Sequence, residues 1–375
     1  MECKFLTNGI AIQYHDFLKP CCTWRYDDAW VQNHNVNKID IVKWHDHPDL
    51  VSARAQLAQG HWPKNCVDCQ TVEEQGRQDS IRLNGASAYG DYKDTDITLE
   101  FRPGSVCNFA CQTCWTPAST RVADYYKKAG VPDPFAGLIK NSFDDFDLIL
   151  PIADRLRSIV VLGGEPFYDP KCREFLQWCQ QHTPADLVAF TNGSCVDAEF
   201  VKNFPNKFTL VFSLDAVGKA AEYIRFGTDW PKVVENYNLV KSLSNVEVRV
   251  NITTSPYNFY YFTDVVDMLL DDWPSVVSFG PAIEEHLNER VIPLAVRRPI
   301  IDKLIKFLPR LESADIEKDQ KANAVNAVKA IINNLKTMEY DPRVHAVFKD
   351  FVSKMDMVKK VRLQDHCPEI AGILE

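Results

Sequence analysis

Three cysteines within eight residues, Cys107-x-x-x-Cys111-x-x-Cys114, constrain this chain more than any other feature. They are too close together to staple distant segments. A chain of 375 residues buries enough core to do without disulfides. Metal ligation is the use that fits. Three thiolates on one short loop can hold three irons of a cubane cluster and leave the fourth iron open. A closed zinc site would want a fourth protein ligand, so a zinc knuckle stays open as the alternative on spacing alone.

The cysteines are also unevenly spread. Of 12, eight fall in the first 114 residues: Cys3, Cys21-Cys22, Cys66-x-x-Cys69 and the three-cysteine loop. Cys172, Cys179 and Cys195 stand apart and read as buried or incidental; Cys367 reads as a bystander or a late ligand. Hydrophobic residues make up 46% and charged residues 25%, which excludes disordered and fibrous classes. A formal charge of −9 argues against bulk electrostatic binding of nucleic acid. A groove lined by Arg297, Arg298 and Lys303 is the one local basic surface the sequence offers. No apolar run is long enough to span a bilayer, and Met1-Glu2-Cys3-Lys4 does not open a secretory signal. The expectation is a cytoplasmic protein with no membrane partner.

From about residue 96 the chain alternates short apolar runs with helical stretches. Strands are expected over 96–101, 158–162, 187–191, 208–214, 246–252 and 275–279, each nearly continuous in apolar residues, as in parallel strands buried on both faces. Helices are expected between them, over 171–181, 231–244 and 261–270, and after 296 over 300–311, 316–338 and a last stretch to about 363. Six βα units read as α/β, either an open doubly wound sheet or a partial (β/α)6 TIM-like barrel. The boundaries are placed at 1–92 for a small cysteine-rich domain, 93–295 for the barrel and 296–375 for a C-terminal helical extension.

The three-cysteine loop directly follows the first of these strands, where barrel folds place their chemistry. Here the sequence resembles the radical SAM superfamily, whose signature is a CxxxCxxC loop after the first strand of a partial six-unit barrel. Further motifs follow in order. Gly163-Gly164-Glu165-Pro166 is similar to the family's GGE motif, and Thr191-Asn192-Gly193 comes after the third strand. Ser213-Leu214-Asp215 ends the fourth strand, Arg225 lies beyond it, and Gly280-Pro281 ends the sixth. The resemblance implies a 4Fe-4S cluster on Cys107, Cys111 and Cys114 that binds S-adenosylmethionine. It implies Gly163, Gly164 and Glu165 at the amino group, Arg225 at the carboxylate, and Ser213 and Asp215 at the ribose. Thr191, Asn192 and Pro281 fall at the remaining strand ends that would face the cofactor. The residue before the third cysteine is usually aromatic in the family. Here it is Thr113, so the adenine is expected on Phe109 or Trp115.

Residues 1–92 resemble the auxiliary-cluster modules called twitch or SPASM domains, with Pro20-Cys21-Cys22, a later Cys66-x-x-Cys69, and the stretch 73–82 with Gly76, Ser80 and Arg82. Cys367-Pro368-Glu369-Ile370 is similar to the terminal segment of such proteins. One auxiliary Fe-S cluster, of the 4Fe-4S type by this resemblance, is implied on Cys3, Cys21, Cys66 and Cys69, with Cys22 the alternative to Cys21. A zinc ribbon is the competing reading of Cys66-x-x-Cys69. His15, His45, His47 and His61 are read as surface or structural residues. The implied partners are a flavodoxin- or ferredoxin-type electron donor and a peptide or small-molecule substrate, with a peptide or protein side chain favoured. The rivals are a sugar, nucleotide or small metabolite as substrate and, in another class, a non-catalytic zinc- or Fe-S-binding scaffold or electron carrier.

Overall fold

The computed structural model describes residues 1–74, 76, 80–133, 135–136, 146–282 and 284–375. Its strands are β1 (Gly9–Ile12), β2 (Leu18–Lys19), β3 (Ile97–Phe101), β4 (Leu156–Val161), β5 (Asp186–Thr191), β6 (Phe208–Ser213), β7 (Val246–Thr254) and β8 (Val276–Pro281). They run in the order β2-β1-β3-β4-β5-β6-β7-β8. From β3 onward spatial order repeats chain order, as short right-handed βα crossovers dictate. The registered pairs β3/β4, β4/β5 and β7/β8 are parallel. These six strands coincide with the six apolar runs to within two residues.

The auxiliary-module resemblance implies a short hairpin ahead of Pro20-Cys21-Cys22, and β1 with β2 forms one there; periodicity alone did not signal these strands or their place in the main sheet. β1 joins β3 in parallel, Ile10 opposite Leu99, and β2 folds back on β1 antiparallel. All four residues of β1 are buried. So short a run carries too little periodicity to stand out in sequence.

The helices start where chain chemistry says they should. Asp169-Pro170 opens the helix Pro170–His182, the Asp169 carboxylate accepting the Lys171 N–H at 2.9 Å. Asp229 caps Trp230–Lys241, with Pro231 in the first turn, and Asp341 caps Pro342–Lys359. An acceptor side chain satisfies an orphan N–H at each start, and proline loses nothing there. The helix Leu294–Glu312 begins six residues before the expected 300, because it runs through Pro299. Arg297 is only 2 % exposed and donates to the carbonyls of Ile292, Leu335 and Glu289 at 2.8–3.0 Å. Lys303 pairs with Asp264 at 2.7 Å. Two of the three expected groove residues are therefore structural, which leaves no basic groove there.

The chain divides into two compact units: Met1–Ser105 with Gly137–Ala189 and Asn203–Phe208, and Val106–Ala136 with Phe190–Lys202 and Thr209–Glu375. The division passes through β5 and β6. Among the described residues no helix is long and apolar enough to cross a membrane.

Candidate functional site

In the second unit, backbone hydrogen bonds pin the three-cysteine loop. The Ala110 N–H donates to the Phe226 carbonyl at 2.8 Å and the Gln112 N–H to the Ile224 carbonyl at 2.7 Å. Arg225 lies between those two acceptors. The ammonium of Lys359, at the end of the helix Pro342–Lys359, donates to the Ala110 carbonyl at 2.8 Å and to Gln112 Oε1 at 3.0 Å. Ser119 Oγ donates to the Phe109 carbonyl at 3.0 Å, and Arg121 donates to the Asn108 carbonyl. A loop whose carbonyls are engaged this fully holds its side chains in place at little further entropic cost.

The sulfurs sit beside two basic side chains, Arg225 and Lys359, the latter pulled down to about 7 by burial against the opposing effect of Cys111 and Asp356. Burial pushes the Cys111 thiol up, while Arg225 and Lys359 work against that shift and Asp215 adds to it. Burial also drives the Cys114 thiol well up, reinforced by the neighbouring Cys111 and Cys107. Asn192 Nδ2 lies 3.8 Å from Cys107 Sγ and 2.9 Å from Asn108 Oδ1. Asn192 thus faces a cysteine sulfur.

Arg225 is the informative side chain. Burial opposes its charge, yet Cys111 and Asp215 outweigh that and hold the guanidinium above its ordinary value. Nη1 binds Asp215 Oδ2 at 2.8 Å. Nε is buried and finds no hydrogen-bond partner among the described residues. An unsatisfied buried donor costs about 1–3 kcal/mol, so its presence points to an acceptor that belongs there.

Two expected cofactor contacts do not survive. Asp215 has no exposed surface, and its Oδ1 accepts the Thr253 N–H at 2.8 Å while Oδ2 takes Arg225. A carboxylate enclosed in this way anchors the guanidinium and cannot reach a ribose. Phe109 is 1 % exposed, with Gly227 packed so near its ring that a Cβ there would stand 3.0 Å away. It is core, which leaves Trp115, half-buried and edge-on to Phe135, as the adenine candidate. Thr113 and Ser213 are partly exposed, Thr191 is buried, and Pro281 is exposed. Thr191 Oγ1 accepts the Gly193 N–H at 3.0 Å, which fixes the turn after β5.

In the first unit, Gly163 follows β4 with φ +122°, and a Cβ there would lie 2.2 Å from the Gly104 carbonyl oxygen. Only glycine fits. The Gly164 N–H donates to that same oxygen at 3.2 Å, and Glu165 is 1 % exposed.

The first unit also holds a small cavity of about 20 Å³ lined by Cys3, Cys21, Cys66 and Cys69, with Thr23, Trp24, Trp62 and Arg82 among its other walls. Cys3 precedes the helix Lys4–Asn8, Cys66 ends a 3-10 turn, and Cys69 lies in the helix Val67–Glu74. Cys22 is not a wall residue. It is exposed at the surface. Burial raises Cys21 strongly and takes Cys66 up to about 12, with Cys3 and Cys69 adding to the latter. Arg82 is the cation among them. Its Nε binds Glu73 Oε1 at 2.9 Å, and Ser80 Oγ donates to that oxygen at 2.6 Å.

The cysteine sets are spaced too widely for a single ion. In a tetrahedral zinc site, bonds of 2.3 Å put sulfurs roughly 3.8 Å apart. Among the described residues, no three cysteine sulfurs lie mutually within 4.8 Å. Three thiols on the loop and four around the cavity, a basic side chain beside each set, and an orphan donor at Arg225 fit a thiolate-bound cluster whose net charge is negative.

Sequence reasoning had no signal for Lys359, which lies 245 residues beyond Cys114, or for the anchoring of Asp215 by Thr253 and Asn258.

No protein-family model matches the chain, and no curated protein does. Solved structures with similar arrangements include Streptococcus suis SuiB bound to S-adenosylmethionine, at 13% identity and a TM-score of 0.37, over 74% of this chain and 62% of that one. The native anSMEcpe with bound AdoMet matches at 17% identity and TM-score 0.40, over 56% and 60%. TYW1 with a lysine-pyruvate adduct bound matches at 15% and 0.37, over 68% and 86%. The chain thus spans about 60% of the length of the first two. Likeness at this level carries no function across; the chemistry of the site rests on the chain's own residues.

Proposed function

We propose that the chain is a radical SAM enzyme acting on a peptide or protein side chain, with an auxiliary Fe-S cluster. The observation that carries this reading is Arg225: a buried, fully charged guanidinium beside Cys111, anchored by Asp215 and left with one free donor. When bound at Cys107, Cys111 and Cys114, a 4Fe-4S cluster supplies the electron that cleaves S-adenosylmethionine to methionine and a 5′-deoxyadenosyl radical, which takes a substrate hydrogen.

The chain's own groups do the positioning. Arg225 Nε holds the methionyl carboxylate, and Asp215 keeps the guanidinium aimed. Lys359 fixes the loop carbonyls and offsets the negative charge of the sulfurs. Asn192 donates toward Cys107 Sγ, the kind of outer contact that tunes a cluster. Trp115 takes the adenine face and Ser213 a ribose hydroxyl. Gly163, Gly164 and Glu165 keep the amino-group role their motif implies, and Thr191 and Pro281 shape the strand ends. In the first unit Cys3, Cys21, Cys66 and Cys69 hold the auxiliary cluster, which accepts an electron or binds substrate.

On this reading an auxiliary domain spans 1–92, a partial barrel 93–295 and a helical region 296–375. A flavodoxin- or ferredoxin-type reductant and a cytoplasmic setting go with it. The wide sulfur spacing disfavours the zinc-scaffold alternative.

Anaerobic reconstitution with iron and sulfide, then dithionite and S-adenosylmethionine, tests it. The expected product is 5′-deoxyadenosine, absent with Cys111→Ala. Equal yields from the two proteins would end the proposal.

A further inference from the structure

A second set of metal-binding side chains lies in the first unit, apart from every cysteine. His34 Nε2 stands 2.9 Å from Asp49 Oδ2, and His47 Nδ1 stands 3.6 Å from the same oxygen. All three ligand atoms lie within 4.8 Å of one another, the one such group among the described residues. Bonds of about 2.0–2.2 Å to one ion put neighbouring N and O ligands roughly 3–3.5 Å apart, close to both measured separations.

The positions of the ring protons follow from their neighbours. His34 Nδ1 faces the Trp30 carbonyl at 3.0 Å, an oxygen that can only accept, so Nδ1 carries a hydrogen. In a neutral ring Nε2 is then a bare lone pair pointing at a carboxylate. That contact needs a positive centre at Nε2, either a proton or a metal ion. The second imidazole stands where it can share that centre. His47 Nδ1 accepts the Asp49 N–H at a long 3.3 Å, so an ion held between the two rings would take that lone pair in place of the amide contact. A single divalent cation would then join both rings to the one carboxylate oxygen.

The surroundings hold the ligands as a metal site requires. The His34 ring stacks on Trp30 at 3.5 Å and 7°, and Trp30 Nε1 is itself tied to the Leu18 carbonyl at 2.8 Å. The hydrogen bond from Nδ1 to a carbonyl is the usual partner that sets a ligating histidine's tautomer. His34 is buried, while the Asp49 side chain is 53% exposed. His34 and Asp49 border an open cleft of about 530 Å³ whose other walls include Trp24, Trp30, Asn33 and Gln56.

We propose that His34, His47 and Asp49 bind one divalent transition-metal ion of the zinc or ferrous type, with its remaining coordination positions open to that cleft. Two imidazoles and a carboxylate select such metals over calcium or magnesium, which prefer all-oxygen sets. Three protein ligands leave room for water or for a donor atom of a small ligand. The site does not depend on the cluster assignment, since it shares no ligand with it.

Metal counting on the full chain tests this. After anaerobic reconstitution with iron and sulfide, the protein is equilibrated with Zn²⁺, desalted and assayed for zinc and iron. One zinc per chain is expected. His47→Ala and Asp49→Asn should each weaken zinc binding by at least about a hundredfold, more than loss of an outer-sphere partner causes, with the iron count unchanged. Cobalt substitution gives a readout independent of iron loading: ligand-field bands with no sulfur-to-metal charge transfer are expected. Wild-type protein that retains no zinc, variants that retain it fully, or cobalt spectra showing thiolate bands would each overturn the proposal. The first of these would leave His34 and Asp49 as a simple hydrogen-bonded pair.

Discussion

Single side chains carry the sharpest consequences. Arg225 Nε has one donor to offer and no partner among the described residues, so Arg225→Gln removes a charged hydrogen bond to the cofactor carboxylate. At about 1.5–3 kcal/mol for such a bond, S-adenosylmethionine affinity should fall roughly 10- to 100-fold, with the iron content of the protein retained. Equilibrium dialysis against labelled cofactor checks this, and unchanged affinity would assign the guanidinium a purely structural part. His45 carries a second consequence, for stability. Burial holds its imidazole down at about 4, with Nε2 donating to the Gly9 carbonyl at 3.1 Å. The unfolded chain takes up a proton near pH 6.5 and the folded chain only near 4. The contribution of His45 is therefore complete above pH 6.5, is lost as the pH falls from 6.5 to 4, and is constant below. A shift of that size is worth roughly 3 kcal/mol. Urea unfolding across that range should show the decline in the wild-type chain and a shallower one in His45→Gln. The family resemblance named Arg225 for the carboxylate, but neither its burial nor that of His45 was visible in the residues alone. A lone arginine reads as a solvated surface residue, and burial belongs to the fold.

At the scale of elements, the helix Thr120–Ala129 shows how a local cap serves a distant loop. Ser119 Oγ accepts the Val122 N–H at 3.2 Å as the N-cap, and its own hydrogen goes to the Phe109 carbonyl of the cysteine loop. Ser119→Ala loses both contacts, leaving a buried carbonyl and a helix N–H without partners. A cost of about 1–2 kcal/mol is expected, read as a lower urea midpoint. Iron at the three-cysteine site should also be released faster to a chelator; chelation at the wild-type rate would show that the loop holds its shape without this tie. The helices between the strands were legible from their apolar spacing, although Ser119 as the cap of this one was not. What Lys359 does was not legible either. Its helix is amphipathic by pattern, but nothing in that pattern says its last lysine turns inward to the Ala110 and Gln112 acceptors.

At the scale of the whole molecule, two separate cysteine sets predict two clusters. The reconstituted chain should hold about eight irons, and a Cys107→Ala, Cys111→Ala, Cys114→Ala variant about four. Near-zero iron in that variant would remove the auxiliary cluster and leave the four-cysteine cavity as a set of buried thiols. The sheet is where sequence and structure agree most. Six near-continuous apolar runs became β3 to β8 with little error, since parallel strands buried on both faces leave an unmistakable pattern. β1 escaped because four residues cannot display a period, and its place beside β3 depends on pairing across more than eighty residues of chain.

The amino-acid sequence by itself determined the order of the six strands β3 to β8, the helices between them, and the grouping of cysteines into a loop and an N-terminal set. These follow from periodicity and spacing, which are local properties. Tertiary structure alone decided that Asp215 anchors Arg225 instead of meeting a ribose, and that Phe109 is core. It alone enclosed Lys359 against the cysteine loop and brought His34 together with His47 and Asp49. Burial and convergence depend on which distant residues share a place, and only the folded chain settles that.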